Sequence, residues 1–229
     1  MRKQKNKPEY LYSIKFIVVG DQGVGKTKIL HSFSEGKFSN IYNATIGVDY
    51  LSHDIKIDNR IFRLQIWDTA GSERYKSIAK GYYKKSACAL IVYDITNYKS
   101  FDSVQNWIEE IKLYSNSNIH LILIGNKIDL EAERVINTEK GKQLSKEYDV
   151  KFYESSALTG ENINTIFFDA CRVINENINN EIYDFNNPNV GIKISNLKNS
   201  SFEIKKDITI ISSNVNNDKK KKKESKCEC

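Results

Sequence analysis

Long hydrophobic runs are missing from this 229-residue sequence, and no stretch approaches the ~20 apolar residues of a membrane span. Residues 1–10 hold no apolar segment of the kind a secretory leader needs, so the body is expected to be soluble and cytosolic. Cysteine is scarce, four in all. Cys88 and Cys171 lie inside apolar runs and read as small buried hydrophobes in a reducing compartment. The body also lacks an excess of charge of either sign. The net charge is +6, of which residues 1–9 contribute +3 through Arg2, Lys3, Lys5 and Lys7 against Glu9. Residues 181–229 contribute another +3, ten lysines against seven acids, so residues 10–180 are close to neutral. That distribution argues against a folded nucleic-acid-binding face and suits tails that lie along an anionic surface. What remains, at 40% hydrophobic, is enough for one globular domain with a full core and some extra length.

Short apolar runs at residues 11–19, 48–57, 61–67, 87–93, 119–124 and 150–153 alternate with segments of helical period. Phe101, Val104, Ile108 and Ile111 share one helical face, as do Ile163, Ile166, Phe167, Ala170 and Ile174. Strands alternating with helices predict an α/β fold, a parallel sheet covered on both faces. The link Asp58-Asn59-Arg60 is too short for a crossover, so runs 48–57 and 61–67 form a hairpin and add one antiparallel edge strand. The periodicity stops near Ile178, where Asn, Ser and Lys take over and Pro188 and Gly191 interrupt. The predicted organisation is a basic extension over 1–10, one domain over 11–180 and a disordered tail over 181–229.

Gly20-Asp21-Gln22-Gly23-Val24-Gly25-Lys26-Thr27 fits G-x-x-x-x-G-K-[ST], directly after an apolar strand and before a helix. In that setting the glycines let backbone N–H groups turn toward phosphates, Lys26 supplies a charge to the outer phosphates, and the Thr27 hydroxyl suits magnesium. A plain glycine turn with a solvated lysine is the bland alternative; the strand-loop-helix context disfavours it. The loop by itself indicates only a nucleoside triphosphate. Asn126-Lys127-Ile128-Asp129 narrows the base, because the Asp129 carboxylate accepts from N1–H and N2–H of guanine, a donor pair adenine does not offer. Between the two lies Asp68-Thr69-Ala70-Gly71, where Asp68 would hold the magnesium shell and the Gly71 N–H would meet the γ-phosphate. Thr45 would add a second hydroxyl to the metal only while the γ-phosphate is present, which makes a switch.

These motifs, in this order and spacing, resemble the Ras-like small GTPases over residues 11–178, and within them the Rab group. The resemblance implies a P-loop GTPase domain on a six-stranded, mostly parallel sheet, binding GTP or GDP with Mg2+. Ile46-Gly47-Val48-Asp49-Tyr50 resembles the end of the Rab switch I, while the run from Arg63 to Gly71 and Lys80-Gly81-Tyr82-Tyr83 resemble the interswitch and switch II. By resemblance, Gly20, Gln22, Gly23, Val24, Gly25, Lys26, Thr27, Thr45, Gly71, Asn126, Lys127, Asp129, Ser156, Ala157 and Leu158 hold the nucleotide. Thr27, Thr45 and Asp68 hold the metal, and Lys26, Thr45, Gly71 and Ser72 stand at the catalytic positions. Tyr50, Trp67 and Tyr82 would form an aromatic cluster read by effectors; three ordinary core aromatics is the competing reading.

Three departures from the pattern have consequences. Ser72 replaces the glutamine that orients the attacking water in the family, and is two atoms shorter, so intrinsic hydrolysis is expected to be weak. Activating proteins for Rabs resemble one another in supplying both an arginine and a glutamine in trans, which would bypass Ser72. Gln22, next to the γ-phosphate, is larger than the glycine of Ras-type proteins and is a candidate partial substitute. Leu158 replaces the usual lysine of Ser156-Ala157-Leu158. The Ala157 N–H is still expected at the guanine O6, with somewhat faster nucleotide release.

The sequence ends Lys226-Cys227-Glu228-Cys229, which is not a C-a-a-X box and resembles the Rab signal for double geranylgeranylation. Residues 219–223, lysine from Lys219 to Lys223, would add attraction to an anionic leaflet. A metal-binding cysteine pair and a nuclear import signal are the alternatives. The expected partners are an exchange factor, a GTPase-activating protein, effectors, a prenylation escort protein and a GDP-dissociation inhibitor, with no nucleic acid. The expected place is the cytoplasmic face of an intracellular membrane, lipid-anchored, with a soluble pool. The rival reading is a GTP-loaded platform whose own hydrolysis is too slow to matter.

Overall fold

A computed structural model describes residues 10–36, 45, 47–71 and 76–195. The described sheet has seven strands where six were expected, and the first six are β1 (Tyr12–Val19), β2 (Val48–Ile57), β3 (Arg60–Thr69), β4 (Cys88–Asp94), β5 (His120–Asn126) and β6 (Lys151–Ser155). Their order across the sheet is β2-β3-β1-β4-β5-β6, parallel throughout except for the β2–β3 hairpin. Every residue of β4 is buried, and β1 is buried at all but Lys15, as a strand covered on both faces must be. β2 is half exposed, as suits an edge strand.

Helices α1 (Lys26–Glu35) and α6 (Ile163–Asn179) pack together on one face, where Phe33 stacks on Phe167 at 3.9 Å. On the other lie α2 (Lys76–Tyr83), α4 (Val104–Tyr114) and α5 (Thr138–Glu147). The helical period through Phe101, Val104, Ile108 and Ile111 belongs to two helices, because α3 (Tyr98–Asp102) ends at Ser103 before α4 begins. None of the described helices is long and apolar enough to cross a membrane.

The boundary expected at residue 180 moves. Residues 181–195 belong with the domain, and β7 (Ile192–Ile194) pairs antiparallel with the start of β1, Tyr12 opposite Ile194 and Ile14 opposite Ile192. The physical reason is an open slot. β4 joins β1 only from Phe16 onward, so the first residues of β1 have an unpaired backbone on that side. Such a buried edge needs partners, and β7 supplies them. Lys15 N donates to Gly191 O at 2.8 Å and Ser195 N donates to Leu11 O at 2.9 Å. Tyr183 and Val190, and Ile192 in the strap itself, are buried, the two aliphatic side chains contributing roughly 1.5–3 kcal/mol each by the usual burial scale. The sequence from 196 onward, including the lysine run and the terminal cysteines, lies outside the described residues.

Gly191 is the seat of the strap. Its φ is +77°, and an added Cβ would lie 2.3 Å from Ala87 N and 2.5 Å from Ser86 C. Both the conformation and the space exclude a side chain. Gly191→Ala is therefore expected to destabilise the GDP-bound protein by about 1–3 kcal/mol. Denaturant unfolding at fixed GDP and magnesium checks this, and an unchanged midpoint would mean that the strap is not seated on β1.

Candidate nucleotide and metal site

The loop after β1 turns through Gly20, Gly23 and Gly25, all at positive φ, and delivers the chain into α1 at Lys26. Lys26 is only 6% exposed and curls under its own loop, Nζ donating to Gly20 O at 2.9 Å and Asp21 O at 2.8 Å. Burial lowers its pKa to about 8, against the opposing pull of Asp68 and Asp21. An anion beside the ammonium would favour the charged form, so the residue suits a phosphate. Gln22 is exposed, whereas Val24, two residues on, is buried.

Asp68, near the end of β3 and 3% exposed, collects two hydroxyls. Thr27 Oγ1 donates to its Oδ2 at 2.5 Å, Thr45 Oγ1 lies 3.3 Å from the same oxygen, and the two hydroxyls are 2.8 Å apart. Its other oxygen, Oδ1, is buried with no partner among the described residues. Desolvation pushes the carboxyl pKa up, and the bonds from Thr27 and Thr45 and the charge of Lys26 pull it down. No group of three His, Cys, Asp or Glu forms a metal cluster among the described residues. Two hydroxyls and one carboxylate with a free oxygen fit magnesium, which keeps waters and substrate phosphates as its remaining ligands. Thr27, Thr45 and Asp68 are thus brought together as the sequence implied. Ser72 lies outside the described residues.

The base-binding loops converge on Asn126, buried at the end of β5. Its Nδ2 donates to Val24 O at 2.9 Å, and its Oδ1 accepts from Ala157 N at 3.2 Å and Ser155 Oγ at 3.3 Å. One amide therefore ties the phosphate loop to the loop after β6. Asp129 is exposed, and buried Ser156 orients it, Oγ donating to Oδ1 at 2.5 Å while accepting from Thr159 N at 3.0 Å. Lys127, at φ +73°, pairs its ammonium with Asp94 at 2.5 Å. Leu158, 50% exposed, is free to cover a base with methyl groups. The Ala157 N–H, expected to serve a guanine O6, already bonds Asn126 and would have to be shared.

Three partnerships went unread in the sequence: Asp94 with Lys127, Glu154 with Arg134 at 2.6 Å, and Asp21 with Ser103 and Trp107. Sequence separations of 20 to 86 residues leave no local signal for the last two.

Away from the nucleotide loops, Tyr50 and Trp67 have ring centroids 5.0 Å apart, and Trp67 and Tyr82 4.7 Å. Lys15 reaches under the pair, its Nζ 5.2 Å from the Trp67 ring and 4.9 Å from the Tyr82 ring, donating to Tyr82 O at 3.0 Å. Burial, then Lys85 and Lys193, lower the Lys15 pKa to about 8.

A cationic phosphate cradle, an oxygen-ligand metal corner and a carboxylate-bearing base loop at the carboxyl ends of parallel strands define a P-loop nucleotide-binding protein. The sequence model of the Ras family matches residues 15–176, and the chain belongs to that family. It is a small GTPase; such proteins bind GTP and GDP with magnesium and work with exchange factors, activating proteins and effectors.

Ser156→Ala leaves both Asp129 and the Thr159 N–H without their partner. We expect GDP affinity to fall about tenfold while the domain stays folded. Titration with a fluorescent guanine nucleotide measures this, and an unchanged Kd would show that Asp129 orients itself.

Proposed function

We propose that this GTPase is a Rab-type switch that recruits effectors, in its GTP form, to the cytoplasmic face of an intracellular membrane during vesicle traffic. The contact cluster Tyr50–Trp67–Tyr82 is the observation that carries this reading. Tyr50 is 45% exposed and Trp67 and Tyr82 are half-buried, so the three present an aromatic surface rather than a closed core. Tyr50 stands near the start of β2, Trp67 near the end of β3 and Tyr82 on α2, so the cluster joins elements on both sides of the metal corner. A conformational change around Thr45 or Gly71 would therefore be legible at one aromatic face, which is what an effector needs.

Thr27, Thr45 and Asp68 would hold magnesium, which when bound would supply charge neutralisation at the phosphates. Lys26 keeps its ammonium against the carbonyls of the phosphate loop, where it would answer the negative charge that builds on the transferred group. The Gly71 N–H would be the donor for the γ-phosphate. Asp129 and Asn126 hold the base and its loop, so the phosphates stay in register with Lys26. Ser72 replaces the water-orienting glutamine with a shorter hydroxyl, which supports weak intrinsic turnover below the order of 10⁻⁴ s⁻¹ usual for this class. That substitution also supports a second reading, a persistently GTP-loaded platform that depends on an activating protein to switch off.

The terminal Cys227 and Cys229 and the basic run from Lys219 to Lys223 support anchoring by two geranylgeranyl chains. An escort protein would present the chain for prenylation, and a GDP-dissociation inhibitor would hold the soluble pool. Incubation with a Rab geranylgeranyltransferase and escort protein should add two geranylgeranyl groups by mass spectrometry, and none to Cys227→Ser/Cys229→Ser. A singly modified or unmodified wild type would sink the Rab reading.

Single-turnover GTP hydrolysis of the wild type beside Ser72→Gln tests the brake. The substitution is expected to speed hydrolysis about tenfold or more. Gln22→Gly should slow it if Gln22 stands in for the missing glutamine. Equal rates for wild type and Ser72→Gln would favour an ordinary self-timed switch.

A further inference from the structure

Asp21 follows Gly20, and its side chain points away from the loop, toward the start of α4. Its Oδ2 accepts from Ser103 Oγ at 2.8 Å and its Oδ1 accepts from Trp107 Nε1 at 2.9 Å. The main chain of the same residue faces the site. Its carbonyl accepts from Lys26 Nζ at 2.8 Å. The Asp21–Gln22 peptide is also the surface on which Gly71 rests, since a Cβ on Gly71 would lie 2.4 Å from Asp21 C and 2.5 Å from Gln22 N. One residue is thus held by α4 through its side chain and shared between Lys26 and Gly71 through its backbone.

We infer that Ser103 and Trp107 are positioning residues for nucleotide retention and hydrolysis: they clamp Asp21, and with it the peptide that Lys26 and Gly71 use. Neither residue is required to touch the nucleotide. Ser103 stands at the N-cap of α4 yet makes no capping bond to its own helix. Its hydroxyl goes to Asp21, with Lys99 O at 3.0 Å as the alternative acceptor. The break between α3 and α4 is what presents it there. Trp107 is 3% exposed, so its indole N–H requires an acceptor inside the protein, and the Asp21 carboxylate is that acceptor. Two neutral donors on an ionised acceptor make charge-assisted bonds, stronger and more directional than neutral pairs.

Releasing the clamp lets the Asp21–Gln22 peptide tilt. The cradle is then no longer preset for the phosphates, and Gly71 loses its fixed seat, so both nucleotide retention and the chemical step suffer. Displacements near 1 Å can reduce rates by about 10²-fold.

The test uses the full chain loaded with GDP or GTP and magnesium. Asp21→Ala is expected to speed GDP release about tenfold and to slow single-turnover hydrolysis by a similar factor. Trp107→Phe keeps most of the volume and loses the donor, and should speed release about fivefold. Asp21→Asn keeps an acceptor for Trp107 and a partner for Ser103, and should restore both rates to within about threefold of wild type. Ile108→Val thins the packing of the same helix without touching Asp21. It should lower the unfolding midpoint and leave both rates alone. If Asp21→Ala and Trp107→Phe leave both rates within twofold of wild type, or Ile108→Val moves them equally, the clamp is merely structural and the inference falls. If Asp21→Ala does not fold, Ser103→Ala decides: release about threefold faster supports the clamp, and an unchanged rate overturns it.

Discussion

Two charges held out of water govern this domain, the Lys26 ammonium and the Asp68 carboxylate. Burial moves them in opposite directions, Lys26 down to about 8 and Asp68 up from its ordinary value, so each is pushed toward its neutral form. A lysine whose folded pKa is lowered works against the fold while protonated, below about 8. A carboxylate whose folded pKa is raised works against it while ionised, above that raised value. While both groups are charged, both oppose folding. Two carbonyls at Lys26 and two hydroxyls at Asp68 offset part of that cost, and Asp68 Oδ1 receives nothing from the described residues. A phosphate chain with a divalent cation answers both at once. Nucleotide affinity and domain stability are therefore linked quantities, and a fold of this kind is most stable when loaded.

The rest of the architecture serves to hold those charges at one end of one sheet. β1 carries the phosphate loop and β3 carries Asp68, and their parallel pairing sets Val18 beside Asp68. β5 ends in Asn126, whose amide reaches back to Val24 and forward to Ala157. The cradle and the base loop thus share a single buried side chain, and neither shifts without the other. Asp21 extends the same logic to α4. Side chains from distant segments fix the backbone of the loop, and that backbone meets the ligand.

Contiguous chemistry was legible in the sequence. The phosphate loop, Asp68 to Gly71, and Asn126 to Asp129 each carry their function within a few residues, and each stands at the end of a strand that its own hydrophobicity identifies. Relations across the chain were not legible. Asp21 is 82 and 86 residues from its two partners, and its identity suggests only another loop residue. The apolar period through Phe101, Val104, Ile108 and Ile111 continues across Ser103, so it gave no warning that two helices meet there. β7 is three residues long and folds only because β4 leaves the first part of β1 unpaired, a fact about strand lengths rather than about local composition. Tyr50, Trp67 and Tyr82 were legible as a resemblance, while Lys15 beneath them was not, because a lysine inside an apolar strand has no sequence mark of its aromatic neighbours.

The strap also fixes where residue 195 leaves the sheet. Ser195 bonds to Leu11 at the amino end of β1, whereas the phosphate loop springs from the carboxyl end of the same strand. The seven steps from Tyr12 to Val19 span about 23 Å at the usual strand rise. Because β7 is hydrogen-bonded to β1, the departure point of the remaining chain is set by the sheet itself and not by the end of α6. Gly191, too crowded for any side chain, thus does for the strap what Asp21 does for the phosphate loop: each fixes by backbone contact where a segment of the chain is seated.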